Sequence, residues 1–351
     1  MKGLIMKKIT LRIVALISAL ALLAALAVCP AYAADQKYEF MLALGDSITT
    51  GYGLDGEAPY ECESYANIVA EALGLEAKNS YVNRAVDGAT SKDLLTLLPE
   101  LENYLGYSDL VVVTIGGNDL LQSVSIIASA VAGKSVTGLS ASIDVLSAAG
   151  PEKFAALSSN TSFQTKMGAV LASYATNLAA AAKIIKENAP TARVIFLKQY
   201  NPLKNVPGFE TFGDFADTLF TSINSSIDTV CEAYGFEALD VPSVIDVNAA
   251  ALTNMLNYDI HPNADGHKAI GDLLTEHLST VTFTPETEPA TEPVTEPETE
   301  PVTEPVTEAE ATTEPETEAQ LEAPGCGSII SSAAIILAAV GAFTVLKKKE
   351  N

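Results

Sequence analysis

Tyr38-Glu39-Phe40-Met41-Leu42-Ala43-Leu44 runs without a break into Gly45-Asp46-Ser47-Ile48-Thr49-Thr50-Gly51-Tyr52-Gly53. The first seven residues are mostly apolar and read as a β-strand. Glycine and small polar residues then break the run and read as a turn. A serine hydroxyl is thereby set at the carboxyl end of a first strand. Open α/β sheets bind their ligands at that edge.

Further along, apolar runs alternate with longer amphipathic stretches. Strands are expected at Tyr38–Leu44, Tyr81–Arg84, Leu110–Ile115, Arg193–Gln199 and Glu237–Val241. Val111-Val112-Val113 has no polar alternation, which suits a strand buried on both faces. Helices are expected over Ser64–Leu73 with Gly74 as its stop, Ser91–Leu105 with Ser91 as N-cap, Phe163–Asn188, Phe212–Tyr234 and Asn263–Leu278. Strand alternating with helix predicts a parallel sheet with right-handed crossovers. Residues 120–160 are rich in Ala, Ser, Val and Ile; short helices that line the site and a plain surface insertion fit them equally.

Both ends differ from this middle. Lys2, Lys7, Lys8 and Arg12 precede the apolar run Ile13–Val28, and Ala31-Tyr32-Ala33 offers small residues for cleavage. Residues 1–33 therefore read as a secretory leader. At the other end, Ser328–Leu346 carries no charge and is followed by Lys347, Lys348 and Lys349. That is the length and flank of a membrane-spanning helix with a short cytoplasmic tail, 347–351. Between fold and anchor, residues 284–322 repeat Thr-Glu-Pro and hold thirteen Glu with no Lys or Arg. Such a composition builds no core. If extended as polyproline II at about 3.1 Å per residue, it would span roughly 120 Å. These readings place a folded domain, 35–283, on a stalk at the outer cell surface.

Composition removes some classes of function. The chain has 44 acidic and 20 basic residues and a net charge of −24. Nucleic acid, which needs basic patches, is not an expected partner. Cys62 and Cys231 fall on opposite sides of the expected sheet and read as free thiols; Cys326 stands just outside the anchor. No Cys/His spacing suggests a metal, and no cofactor is called for.

Serine becomes a nucleophile when a neighbouring base takes its proton. The chain has three histidines. His267 and His277 fall inside the last helical pattern and read as structural. His261, in Asp259-Ile260-His261-Pro262-Asn263, lies in a loop, where catalytic groups are held by a rigid scaffold. Donors for a developing oxyanion have two candidates. Gly88 follows the second strand in Asn83-Arg84-Ala85-Val86-Asp87-Gly88-Ala89, and Asn118 follows the third in Gly116-Gly117-Asn118-Asp119.

The four blocks Gly45-Asp46-Ser47, Gly88, Gly116-Gly117-Asn118-Asp119 and His261-Pro262-Asn263, in this order over about residues 40–270, resemble the SGNH, or GDSL-type, hydrolases. The resemblance implies a flavodoxin-like three-layer α/β/α sandwich and hydrolysis of carboxylic esters without cofactor or metal. Carried over, Ser47 is the nucleophile and His261 the base. The Ser47 and Gly88 backbone N–H groups and the Asn118 side chain form the oxyanion hole. The family commonly has an aspartate three residues before the histidine; that position is Tyr258 here. Asp259, two before, is the candidate to orient the ring, with a backbone carbonyl as the other option. Asp46 is read as structural.

Two kinds of ester suit a monomeric domain on a stalk: acyl lipids and acetylated glycans. Phe209, Phe212, Phe215 and Phe220, with the apolar 120–131 run, are candidates for an acyl pocket, although Phe215 and Phe220 are read as core. The other functional class is a surface binding or adhesion protein whose hydrolytic site has decayed.

Overall fold

The computed structural model describes residues 37–284. The expected leader, anchor, tail and Cys326, and the spacer beyond Thr284, lie outside those residues. Five strands form one sheet: β1 (Met41–Gly45), β2 (Tyr81–Asn83), β3 (Leu110–Thr114), β4 (Arg193–Leu197) and β5 (Glu237–Leu239). Their order is β2-β1-β3-β4-β5 and every pairing is parallel. The helices are α1 (Ser47–Thr50), α2 (Tyr65–Ala72), α3 (Ser91–Leu97), α4 (Glu102–Tyr107), α5 (Gly117–Ala132), α6 (Leu139–Ser147), α7 (Pro151–Leu157), α8 (Thr161–Asn188), α9 (Glu210–Tyr234), α10 (Pro242–Ile245), α11 (Ala249–Leu252) and α12 (Ala264–Thr280).

The pleat divides the core. Leu42, Leu44, Val111 and Val113 point to one side, where they meet Leu94 of α3, Ile127 of α5, Leu178 of α8 and Ile223 of α9. Met41, Ala43, Leu110 and Val112 point to the other and meet Val69 of α2 and Ile270 and Leu274 of α12. Alternate residues of a strand face opposite sides, so an unbroken apolar run is needed when both sides are covered. Each fully buried aliphatic side chain contributes about 1.5–3 kcal/mol. The result is the expected three-layer α/β/α sandwich on a five-stranded parallel sheet.

Three local expectations change. The single helix over Ser91–Leu105 is broken into α3, a 3-10 turn at Leu98–Leu101 and α4. Pro99 lies in that turn; proline lacks the amide hydrogen an α-helix needs and crowds the preceding turn. The cap is Thr90 rather than Ser91. Thr90 and Asp93 satisfy each other's backbone N–H in a capping box, while Ser91 gives its hydroxyl to Asp119, 2.6 Å away. The first strand also starts later, at Met41. Glu39 and Phe40 instead donate their N–H groups to the Asp109 carboxylate at 2.6 and 3.2 Å.

Residues 120–160 form most of α5, together with α6 and α7. The helix α8 is apolar and long enough to cross a membrane by length and composition alone. In the fold it buries Phe163, Met167, Leu171, Tyr174, Leu178, Ala182 and Ile185, a stripe at three- and four-residue steps, into the core. Cys62 and Cys231 are both buried and free.

At the amino-terminal ends of the strands, the buried Arg193 makes two bonds to Glu237, at 2.6 and 2.8 Å, and donates to the Tyr38 hydroxyl at 2.9 Å. His277 Nε2 lies 2.6 Å from the same Glu237 carboxylate. This cluster ties the entering chain and α12 to the sheet edge away from Ser47.

His267, on the inner face of α12, is 0% exposed. Its Nδ1 accepts the Tyr65 N–H at 3.2 Å, and its ring lies parallel to Tyr65, with centroids 6.4 Å apart. Burial, aided by nearby His261, lowers its pKa from 6.5 to about 4. A proton on Nδ1 would set two donors against each other. The depressed value means His267 contributes stability above the unfolded pKa, and that stability is lost as pH falls from 6.5 towards 4. We expect urea unfolding at about pH 4.5 to show a loss of about 2–3 kcal/mol from this group relative to about pH 7. His267→Gln, which keeps an acceptor without the titration, should flatten that part of the pH slope.

Candidate active site

Ser47 is the first residue of α1, separated from β1 only by the capping Asp46. Its placement rests on the close approach of β1 and β3. Gly45 pairs with Thr114, has φ +133°, and a Cβ there would lie 2.0 Å from the Thr114 carbonyl oxygen. Only glycine allows that contact. Beneath the turn is a buried polar knot. Thr49 Oγ1 lies 2.6 Å from Thr114 Oγ1 and 2.7 Å from the Tyr65 hydroxyl. The Asp46 carboxylate accepts from Thr114 Oγ1 and from the Ile48 N–H, each at 3.1 Å. Asp46 thus caps α1. Its complete burial pushes its carboxyl up to about 7. Asp46 serves structure here, as its position in the turn suggested.

His261 comes from the loop before α12. Asn254 N–H donates to the His261 carbonyl at 2.9 Å, and Asn263 N–H donates to the Leu252 carbonyl at 3.1 Å. Asn263 also caps α12 by accepting the Gly266 N–H at 3.0 Å. Thus held, His261 Nε2 lies 2.8 Å from Ser47 Oγ, although the residues are 214 apart in the chain. Tyr258 turns the loop through the left-handed region, φ +62°, and Asp259 folds back towards the imidazole. Its Oδ1 lies 2.5 Å from His261 Nδ1 and accepts the His261 backbone N–H at 3.1 Å. A carboxylate only accepts, so the ring proton sits on Nδ1 and Nε2 is free to accept the serine proton. Ser47, His261 and Asp259 therefore form one line of hydroxyl, imidazole and carboxylate.

The other two candidates lie on loops at the same edge. Gly88 adopts φ +77°, and a Cβ there would meet nothing within 4 Å. Its glycine serves the turn closed by the Ala89 N–H to the Val86 carbonyl, 3.0 Å, and it faces open space. Asn118 lies in the first turn of α5 and donates from Nδ2 to the Ala89 carbonyl at 3.0 Å. That bond ties the loop after β3 to the loop after β2. A primary amide has two N–H groups, so one remains after this bond. Among the described residues, no group of three or more His, Cys, Asp or Glu is placed to hold a metal ion.

Several contributors were not singled out by sequence. Asp119 accepts the Ser91 N–H and hydroxyl at 2.9 and 2.6 Å, which fixes the start of α5 against α3. Tyr52, half-exposed, sets its ring 4.8 Å from that of His261 at 44°. Thr49 and Thr114 complete the polar knot. Thr49, Tyr52 and Asp119 lie inside the glycine-bounded stretches and Thr114 just before one, which is the signal that sequence offers for them.

Beside Ser47 opens an apolar cleft. Its lining includes Ile48, Gly117 and Ile260 near the serine and histidine, and Leu121, Val124 and Phe212 further off. Phe209 and Phe220 also line it; Phe220, read as core, packs against the core while only partly buried. Phe215 does pack in the core, 5.1 Å from Phe154 and 6.2 Å from Phe163 between ring centroids.

With the family model that it matches, this fold makes the chain a carboxylic ester hydrolase. Residues 43–269 match the model of the GDSL-like Lipase/Acylhydrolase family, and the chain belongs to it. Among solved structures it is similar to the lipase Lip_vut3 from a goat rumen metagenome, with 20% identity, TM-score 0.47, and coverage of 67% of this chain and 95% of that one. It is also similar to phospholipase A1 from Streptomyces albidoflavus, with 18% identity, TM-score 0.45, and coverage of 69% and 100%. A mutant of Axe2, an acetyl-xylooligosaccharide esterase from Geobacillus, has 18% identity, TM-score 0.44, and coverage of 68% and 94%. No curated protein matches the chain.

Loss of the Asp259 carboxylate would free the imidazole to take the wrong tautomer. Asp259→Asn is expected to lower kcat by about 10³–10⁴ with little change in KM. Steady-state kinetics on a short-chain nitrophenyl ester measure this. Wild-type kcat in Asp259→Asn would mean that another group orients His261.

Proposed function

We propose that this protein is an extracellular, membrane-tethered serine esterase that works through an acyl-enzyme on Ser47. The observation that carries the reading is the 2.8 Å approach of Ser47 Oγ to His261 Nε2, backed by Asp259 at 2.5 Å from Nδ1. His261 takes the serine proton as Oγ attacks the ester carbonyl. The carbonyl electrons move to oxygen, where the Ser47 and Gly88 N–H groups and the free Asn118 N–H offer donors. As the tetrahedral species collapses, His261 returns the proton to the departing alcohol. A water then repeats the cycle, losing its proton to His261, and the acid leaves as Ser47 regains its hydrogen. Asp259 holds the ring and offsets its charge while it is protonated.

The tether rests on the sequence. A leader-like start at 1–33 and an uncharged run at 328–346 followed by three lysines both support export and anchoring. The Thr-Glu-Pro spacer would hold the domain away from the bilayer.

Ser47→Ala is expected to reduce kcat by on the order of 10⁵–10⁶ and to abolish labelling by a fluorophosphonate probe. Asn118→Ala should cost about 10²–10³ in kcat through loss of one oxyanion donor. Unaltered turnover in the Ser47 variant would sink the mechanism. Protease treatment of intact cells should release ester-hydrolysing activity into the medium; activity found only after lysis would sink the surface location.

A further inference from the structure

We infer that the cleft beside Ser47 seats the acyl chain of a medium- to long-chain ester, and that Leu121 and Val124 set how much of that chain fits. This inference rests on Ser47 being the nucleophile and names the substrate class of that site.

The cleft is continuous with the hydroxyl–imidazole line. Ile48 follows Ser47 in α1, Ile260 precedes His261, and Gly117 opens the helix that carries Asn118; all three line the cleft. From there it follows one face of α5 through Leu120, Leu121, Val124 and Ile127. Steps of three and four residues place these side chains in a row on one face. Phe212, Ala216 and Leu219 of α9 form the facing wall. The helix α5 begins just past the carboxyl end of β3, so the row descends from the site edge.

The chemistry of the wall selects hydrocarbon. The polar side chains among the lining residues belong to Gln199 and Tyr200. The Tyr200 hydroxyl is spent on the Ile260 carbonyl at 2.8 Å, and Gln199 Nε2 reaches the Leu197 carbonyl at 3.4 Å. Sugar hydroxyls would lose water there and gain few partners. An acetyl group would leave most of the space unfilled.

The length of the row gives a scale. From Gly117 to Ile127 is about 15 Å at about 1.5 Å per helical residue. An extended alkyl chain, with bonds of about 1.5 Å at about 111°, advances about 1.25 Å per carbon. About twelve carbons would therefore span the row. On the same scale Leu121 stands opposite about the fifth carbon and Val124 opposite about the eighth. Both side chains are only half-buried, so a larger residue can project into the cleft without displacing the core.

The test is a chain-length series of nitrophenyl esters, acetyl to dodecanoyl, on preparations carrying the full-length chain, with the Ser47→Ala chain as blank. Each methylene taken from water is expected to raise kcat/KM by up to about fourfold, so decanoyl or dodecanoyl should exceed acetyl by at least about 100-fold. Val124→Trp should move the optimum to about eight carbons or fewer, and Leu121→Trp to about five or fewer. The dodecanoyl-to-butyryl ratio should fall at least tenfold in each, with the remaining butyryl turnover reporting a folded site. Wild-type preference for acetyl, or a dodecanoyl-to-butyryl ratio unmoved in both tryptophan variants, would overturn the inference and leave the Ser47 reading intact. Equal turnover of every ester by the Ser47→Ala chain would instead remove the nucleophile itself.

Discussion

The arrangement depends on the contact between Gly45 and Thr114, paired residues at the carboxyl ends of β1 and β3. A side chain at Gly45 would collide with the Thr114 carbonyl at 2.0 Å. Without one, the backbones close up and the Thr114 hydroxyl reaches Thr49 and Asp46. Buried polar groups are stable only when paired, and this knot pairs its members across three elements. Ser47 sits on top of it in a short capped helix. The place of Ser47 is therefore decided by strand pairing, with little left to loop freedom.

The second half of the site is assembled differently. His261 lies on a long excursion between β5 and α12, pinned by backbone bonds from Asn254 and Asn263 on either side. The left-handed turn at Tyr258 brings Asp259 back under the imidazole. An aspartate two residues before a histidine cannot reach the ring's Nδ1 in every loop geometry. The carboxylate's role was an open choice in the linear reading because the turn that selects it belongs to the fold.

Other readings failed or held for identifiable reasons. The strands were legible because a sheet covered on both faces needs uninterrupted apolar runs, and Val111-Val112-Val113 is one. The sequence reads as one unbroken helix after Ser91 despite Pro99, because the apolar period runs on through it. The cap was misplaced by one residue, since Thr90 and Ser91 are both good caps and only Asp93 three residues after Thr90 distinguishes them. The aromatic residues of α9 carry the least distinct sequence signal. Phe212, Phe215 and Phe220 share one amphipathic helix, and a helical period tells an inner face from an outer one. It does not tell a core-facing side chain from one beside an empty cleft.

Sequence alone determined the alternation of strands and helices, the parallel sheet, and the set of loops carrying Ser47, Gly88, Asn118 and His261. Those features follow from local apolar periodicity and from turn residues, which act within a few positions of themselves. The tertiary structure decided which side chains meet across more than two hundred residues, that Asp259 faces the imidazole, and that α5 and α9 stand apart far enough to leave a cleft. Such distances arise from the packing of whole layers against each other, and no short stretch of chain encodes them by itself.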